Sequence, residues 1–90
     1  MHLRHLVAVH ATGTGSGSRF GMAVSRKVGN AVVRNRVKRW LREAFRHCHP
    51  QVDGRWDIVF IARPSAAGAS AAILAHEVER AVHRISRRRR

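Results

Sequence analysis

The stretch from Arg26 to Arg46, RKVGNAVVRNRVKRWLREAFR, constrains this chain more than any other. Wound at about 100° per residue, it places Val33, Val37, Trp40, Leu41, Ala44, Phe45 and Cys48 on one arc, while Arg34, Asn35, Lys38, Arg39, Arg42 and Arg46 fall on the adjoining one. The segment must pack as an amphipathic helix against something apolar and leave a cationic side free. Arg34, Lys38, Arg42 and Arg46 stand at i, i+4 spacing, a like-charge arrangement that weakens an isolated helix by roughly 0.2 to 0.5 kcal/mol per pair. A merely solvated face would interleave Glu, yet the stretch holds one acid, Glu43. Its charge calls for a polyanion. Asn30 can cap the helix and Gly29 can make the turn before it, leaving amides near Arg26 and Lys27 that suit a phosphate.

The whole chain repeats the bias. Eighteen Lys and Arg against five Asp and Glu give a formal charge of +13, a self-repelling balance that nucleic acid would neutralise. Sixteen of the eighteen are Arg, which favours forked phosphate contacts and stacking on bases. Ninety residues make one domain, 1–90, with a thin core. The single cysteine, Cys48, allows no internal disulfide and fits a reducing compartment. No apolar run approaches the roughly 18 residues of a membrane span, so the expectation is a soluble cytoplasmic protein with no membrane partner.

The flanking segments supply the apolar surface. His2 to Ala11, HLRHLVAVHA, suits a strand, and Thr12 to Ser18, TGTGSGS, reads as a flexible Gly/Ser loop. Phe20, Met22 and Val24 alternate with small residues, marking a half-buried strand that is expected to form a hairpin with the first across that loop. Pro50 to Arg55 connects the helix to WDIVFIAR, Trp56 to Arg63, which is apolar on both faces except for Asp57 and reads as a central strand covered on both sides. PSAAGAS, beginning at Pro64, reads as a linker whose Ser70 caps a second helix. There Ile73, Leu74, Val78, Val82 and Ile85 recur at helical spacing as far as a basic tail, Arg87 to Arg90. The expected order is strand, strand, helix, strand, helix.

Individual residues of the basic stretch carry more than charge. SRKVGNAVVRNRVKRWLREAFR resembles the signature of the bacterial ribonuclease P protein subunit family, Lys-x-Gly-Asn-Ala-Val-x-Arg-Asn-Arg-x-Lys-Arg-x-x-Arg-Glu-Ala-Phe. Lys27, Gly29, Asn30, Ala31, Val32, Arg34, Asn35, Arg36, Lys38, Arg39, Arg42, Glu43, Ala44 and Phe45 match it in fixed register. The resemblance continues through Phe20-Gly21 and through DIVFIARP, Asp57 to Pro64, and so covers Arg4 to about Ile85. It implies an α+β fold: a two-layer sandwich, shared with a ribosomal protein, in which helices pack on a small mixed sheet. It also implies a left-handed βαβ crossover containing the basic helix, against the usual right-handed rule.

The function that the resemblance implies is that of a holoenzyme subunit. The protein binds a large catalytic RNA, one copy per RNA as a monomer, and the complex removes the 5′ leader of precursor tRNA by Mg²⁺-dependent hydrolysis. The RNA holds the catalytic metals, and the protein alone is inactive. Lys27, Asn30, Arg34, Asn35, Arg36, Lys38, Arg39 and Arg42 would contact the RNA subunit through phosphates, 2′-hydroxyls or splayed bases. Arg26 and Arg46 join them at the ends of the stretch. Two alternatives stand beside this: Asn30 as a cap, and Arg36, which lies off the main basic arc, as a solvated side chain. Trp40 and Phe45 lie on the packing arc and are expected in the core.

Family members usually begin with a further basic helical segment bearing aromatic residues, which together with the sheet lines a cleft for the tRNA leader. Here Met1 stands almost at the first strand, so either Met1 is internal to a longer protein or this version lacks part of the cleft. Phe20, Met22 and Val9 are the candidate cleft residues, with core packing the first expectation for Phe20 and Met22.

Other chemistry is poorly supplied. His47, Cys48 and His49 are potential metal ligands on adjacent residues that cannot converge in one tetrahedral site, so no metal site is expected in the protein. Ser25, Cys48 and the histidines show no nucleophile, base and orienting group, and Asp53 and Asp57 are too few for a protein nuclease. The competing classes are a non-catalytic RNA-binding module of ribosomal-protein type and, third, a helix-turn-helix DNA binder. The apolar strand after the basic helix argues against the last.

Overall fold

The computed structural model describes residues 1–13, 17–52 and 55–86. Its centre is the strand expected from the apolar run at Trp56: Trp56, Ile58, Phe60 and Ala62 are all buried, on one face. Along the chain come β1 (Leu6–Thr12), β2 (Arg19–Ala23), helix α1 (Ala31–Cys48), β3 (Trp56–Ala62) and helix α2 (Ala71–Ser86). Short 3₁₀ helices at His49–Gln51 and Pro64–Gly68 follow α1 and β3. The result is a small α+β fold with a three-stranded mixed sheet in the order β1-β3-β2.

The expected hairpin does not form. β3 lies between β1 and β2, antiparallel to the first and parallel to the second, with Val59 opposite both Val9 and Gly21. A β1-β2 hairpin would leave the most apolar strand at an edge with one row of backbone groups unpaired. Insertion of β3 pairs both of its edges, and α1 makes the crossover from β2 that a parallel pair requires. The first strand is also shorter than expected: residues 1–3 fold back on it, with the Ala8 amide donating to the Met1 carbonyl (2.8 Å) and Leu3 buried.

Both helices lie on the face formed by Leu6, Ala8, Ile58 and Phe60. Phe60, Leu6, Leu41, Ile58, Leu74, Ile85, Val37 and Val78 are the largest fully buried side chains, each contributing about 1.5 to 3 kcal/mol of burial. The opposite face of the sheet carries no helix among the described residues. Val9, Val59 and Ile61 stay 53%, 40% and 41% exposed there, so β3 is central as expected but covered on one side only. Pro64–Gly68, read as a linker, is helical and buries Ala66. Ser70 does cap α2, its hydroxyl accepting from the Ile73 amide (3.2 Å). Residues 14–16 of the Gly/Ser loop and the Arg87 to Arg90 tail lie outside the described residues. No helix among the described residues is long and apolar enough to cross a membrane.

Candidate nucleic-acid interface

The basic helix starts from a tight turn. The Val28 and Gly29 amides donate to the carbonyls of Ser25 (3.1 Å) and Arg26 (3.2 Å), and the chain then enters α1 at Asn30, whose side-chain oxygen accepts from the Val33 amide (3.0 Å). Gly29 is required at this corner: its φ is +158°, and a Cβ there would lie 2.9 Å from both Cβ and Cγ1 of Val33. Asn30 is therefore the cap, with its side-chain oxygen committed to the helix. Arg26 and Lys27 are exposed in the turn just before it.

The apolar arc seats α1 as its periodicity predicts. Val37, Leu41, Ala44 and Cys48 are buried. Phe45 packs its ring 5.1 Å from Phe20, edge to face, and 5.5 Å from Phe60. Phe20 also meets the His49 ring at 5.5 Å, so the flank of α1 that follows Phe45 lies along β2. That flank is the basic one. Arg34 and Lys38 are half-buried, and Asn35, Arg39 and Arg42 are exposed. Arg34 has its Nε out of water with no hydrogen-bond partner, a donor that the protein leaves unsatisfied.

Two motif arginines stand apart from this group. Arg36 lies on the other flank, facing α2, where its guanidinium donates to the Ala67 carbonyl (3.3 Å) and sits 5.3 Å above the Trp40 ring. The structure does not bring it to the basic arc, and it is held rather than solvated. Arg46 ends the arc but forks onto Glu43, with Nε to Oε2 at 3.3 Å and a second, shorter contact from Nη2 to Oε1. That hydrogen bond holds the Glu43 carboxyl below the usual range and raises Arg46. Half-buried Trp40 borders a groove between the helices with Ala44, Ala71, Ala72 and Ala75.

The candidate cleft residues are not brought together. Phe20 and Met22 face the helices and pack on the core, because β2 pairs with β3 in the register that sets them opposite Ile58 and Phe60. Val9 lies on the open face, beside Val59. Sequence reasoning missed the pair that flanks this face. Arg19 donates to Asp57 from Nε (3.0 Å) and Nη2 (2.9 Å), and its fork holds the Asp57 carboxyl below the ordinary range. The only signal was the lone acid in an apolar strand. Cys48 is buried, which pushes its thiol up and makes it a poor nucleophile.

Solved structures share this arrangement of strands and helices. The sequence profile of the family described as Ribonuclease P matches residues 1–86. A ribonuclease P protein component of Desulfatibacillum aliphaticivorans is 37% identical over 82 residues, 91% of this chain and 70% of that protein. One from Nocardioides is 48% identical over 68 residues, 76% of this chain and 58% of its own length. The chain spans about half the length of several curated relatives, 40% for that of Roseiflexus castenholzii. Among solved structures, the Staphylococcus aureus RNase P protein superposes with a TM-score of 0.81 at 32% identity, covering 96% of this chain and 78% of that one. The Thermotoga maritima RNase P protein gives 0.83 at 27% identity, covering 93% and 80%. With a profile spanning nearly all of its length and the capped basic helix on the same fold, the chain belongs to the ribonuclease P protein family.

Proposed function

We propose that this chain binds the catalytic RNA of ribonuclease P and assists that RNA in removing the 5′ leader from precursor tRNA. The observation that carries the reading is the flank of α1 along β2, where Arg34, Lys38, Arg39 and Arg42 stand together and make no ion pair among the described residues. RNA phosphates are the acceptors that such a row of donors fits, and 2′-hydroxyls or splayed bases can meet Asn35. Arg26 and Lys27, at the turn, extend the same surface toward the helix N-terminus. The open face of the sheet, with Val9, Val59 and Ile61, is the surface on which the leader would lie.

The reaction needs Mg²⁺, and the described residues of this chain do not fit it as a site. Mg²⁺ is held by carboxylates in octahedral geometry. Here Asp57 is forked by Arg19, Glu43 by Arg46, and Glu77 is buried against His5, accepting from its amide (3.1 Å). No three metal-ligating side chains converge among the described residues. On this reading the RNA would hold the metals, and the protein's part would be to bind and position. It would act in the cytoplasm, as one copy per RNA.

The test is cleavage of precursor tRNA by a bacterial ribonuclease P RNA at low Mg²⁺, with and without the chain. The chain should raise cleavage by the RNA and cleave nothing by itself. Cleavage by protein freed of contaminating nuclease, with no RNA present, would overturn the reading, as would an RNA rate that the chain leaves unchanged while a module of ribosomal-protein type simply binds.

A further inference from the structure

Among the described residues, a second group of arginines stands apart from the basic flank of α1. It lies on α2, which packs over β1 at the opposite edge of the sheet from β2, where the basic flank of α1 runs. Arg80 and Arg84, one turn apart on α2, border a depression of about 290 Å³ together with His2 and Ile85. Arg63 adjoins them, its Nη2 lying 3.1 Å from Nδ1 of His2. An arginine only donates, so the His2 nitrogen accepts and no carboxylate is involved. Among the described residues neither Arg80 nor Arg84 makes an ion pair, although like charges at this spacing work against the helix. The Arg63 Nε is out of water and, like those of Arg34 and Arg36, has no acceptor.

What lies between the faces decides how they are used. The groove between α1 and α2 is bordered by Glu43 and Glu79. A phosphate backbone crossing the helices from one basic face to the other would be repelled by Glu79 and would meet Glu43 already paired with Arg46. We propose that Arg80, Arg84 and Arg63 bind a second backbone segment of the RNA subunit, distinct from the one that meets α1, so that the protein clamps two parts of the folded RNA. This rests on the RNA-binding function proposed above.

Two experiments on the complex of the full chain with ribonuclease P RNA test it. An iron chelate tethered at the exposed Ile73→Cys position, on the same flank of α2 as Arg80, should cleave the RNA backbone at one place. The same chelate at the exposed Val32→Cys position on α1 should cleave at another; Cys48 is buried in both variants. In the second experiment, the Arg80→Ala/Arg84→Ala variant should lose about 0.7 to 0.9 of salt slope for each phosphate contact removed, with a native circular dichroism spectrum. Cleavage from position 32 with none from 73, or an unchanged salt slope, would overturn the second face and leave the first intact. Cuts at one shared place would overturn the clamp. No cuts from either position would remove the RNA-binding reading itself, and this inference with it.

Discussion

The two flanks of α1 carry the same residue type and treat it in opposite ways. Along β2, Arg34 and Arg42 match the family motif and find no ion pair among the described residues. Facing α2, Arg36 matches the motif equally well, yet it is bonded to Ala67 and laid over Trp40. The motif alone therefore does not distinguish an arginine left facing solvent from one that the fold uses. The wheel position does, because it determines whether the guanidinium meets solvent beside an edge strand or the backbone that follows β3.

The largest effect is expected where the two flanks join. Leu41 is fully buried beneath both, so Leu41→Ala should cost about 2 to 5 kcal/mol of stability, measured by urea unfolding. A loss confined to RNA affinity, with stability unchanged, would mean that the apolar arc is not what seats the helix. Arg36→Ala comes next and separates the flanks. It removes a hydrogen bond worth about 0.5 to 1.5 kcal/mol and a ring contact worth about 0.5 to 1 kcal/mol, so unfolding should become easier while RNA binding keeps its salt dependence. The smallest effect belongs to an exposed pair. Arg19 lowers the Asp57 carboxyl in the folded state, so its contribution is present above the ordinary aspartate range and is lost as pH falls through the lowered value. Asp57→Asn should make the fall of melting temperature below about pH 4 shallower, and an identical acid limb would show that the pair does not act.

How much of this was legible in the sequence depended on how local each cause was. Asn30 and Ser70 act on amides three residues away, so their roles as caps could be read directly, and helical spacing separated Leu41 from Arg42. Strand order could not be read, because β1 and β2 are each specified by pairing with a strand more than 30 residues later. The same pairing turned Phe20 and Met22 toward the helices: alternation showed that they share a face, and β3 decided which face. The hydrogen bond made by Arg36 escaped for a similar reason, since its acceptor is the carbonyl of Ala67, 31 residues away in a stretch read as a linker. The open face of β3 was misjudged because an apolar residue in a strand looks the same in sequence whether a helix covers it or not.

The most direct test is the salt dependence of binding to ribonuclease P RNA for three proteins: the native chain, Arg34→Ala/Lys38→Ala/Arg42→Ala, and Arg36→Ala. With circular dichroism native throughout, the triple variant should lose about 2 to 2.7 in slope, from roughly 0.7 to 0.9 per phosphate contact, and Arg36→Ala should match the native chain. A triple variant that binds with native affinity and native slope, or an Arg36→Ala variant that loses slope instead, would contradict the assignment of the RNA to the flank along β2.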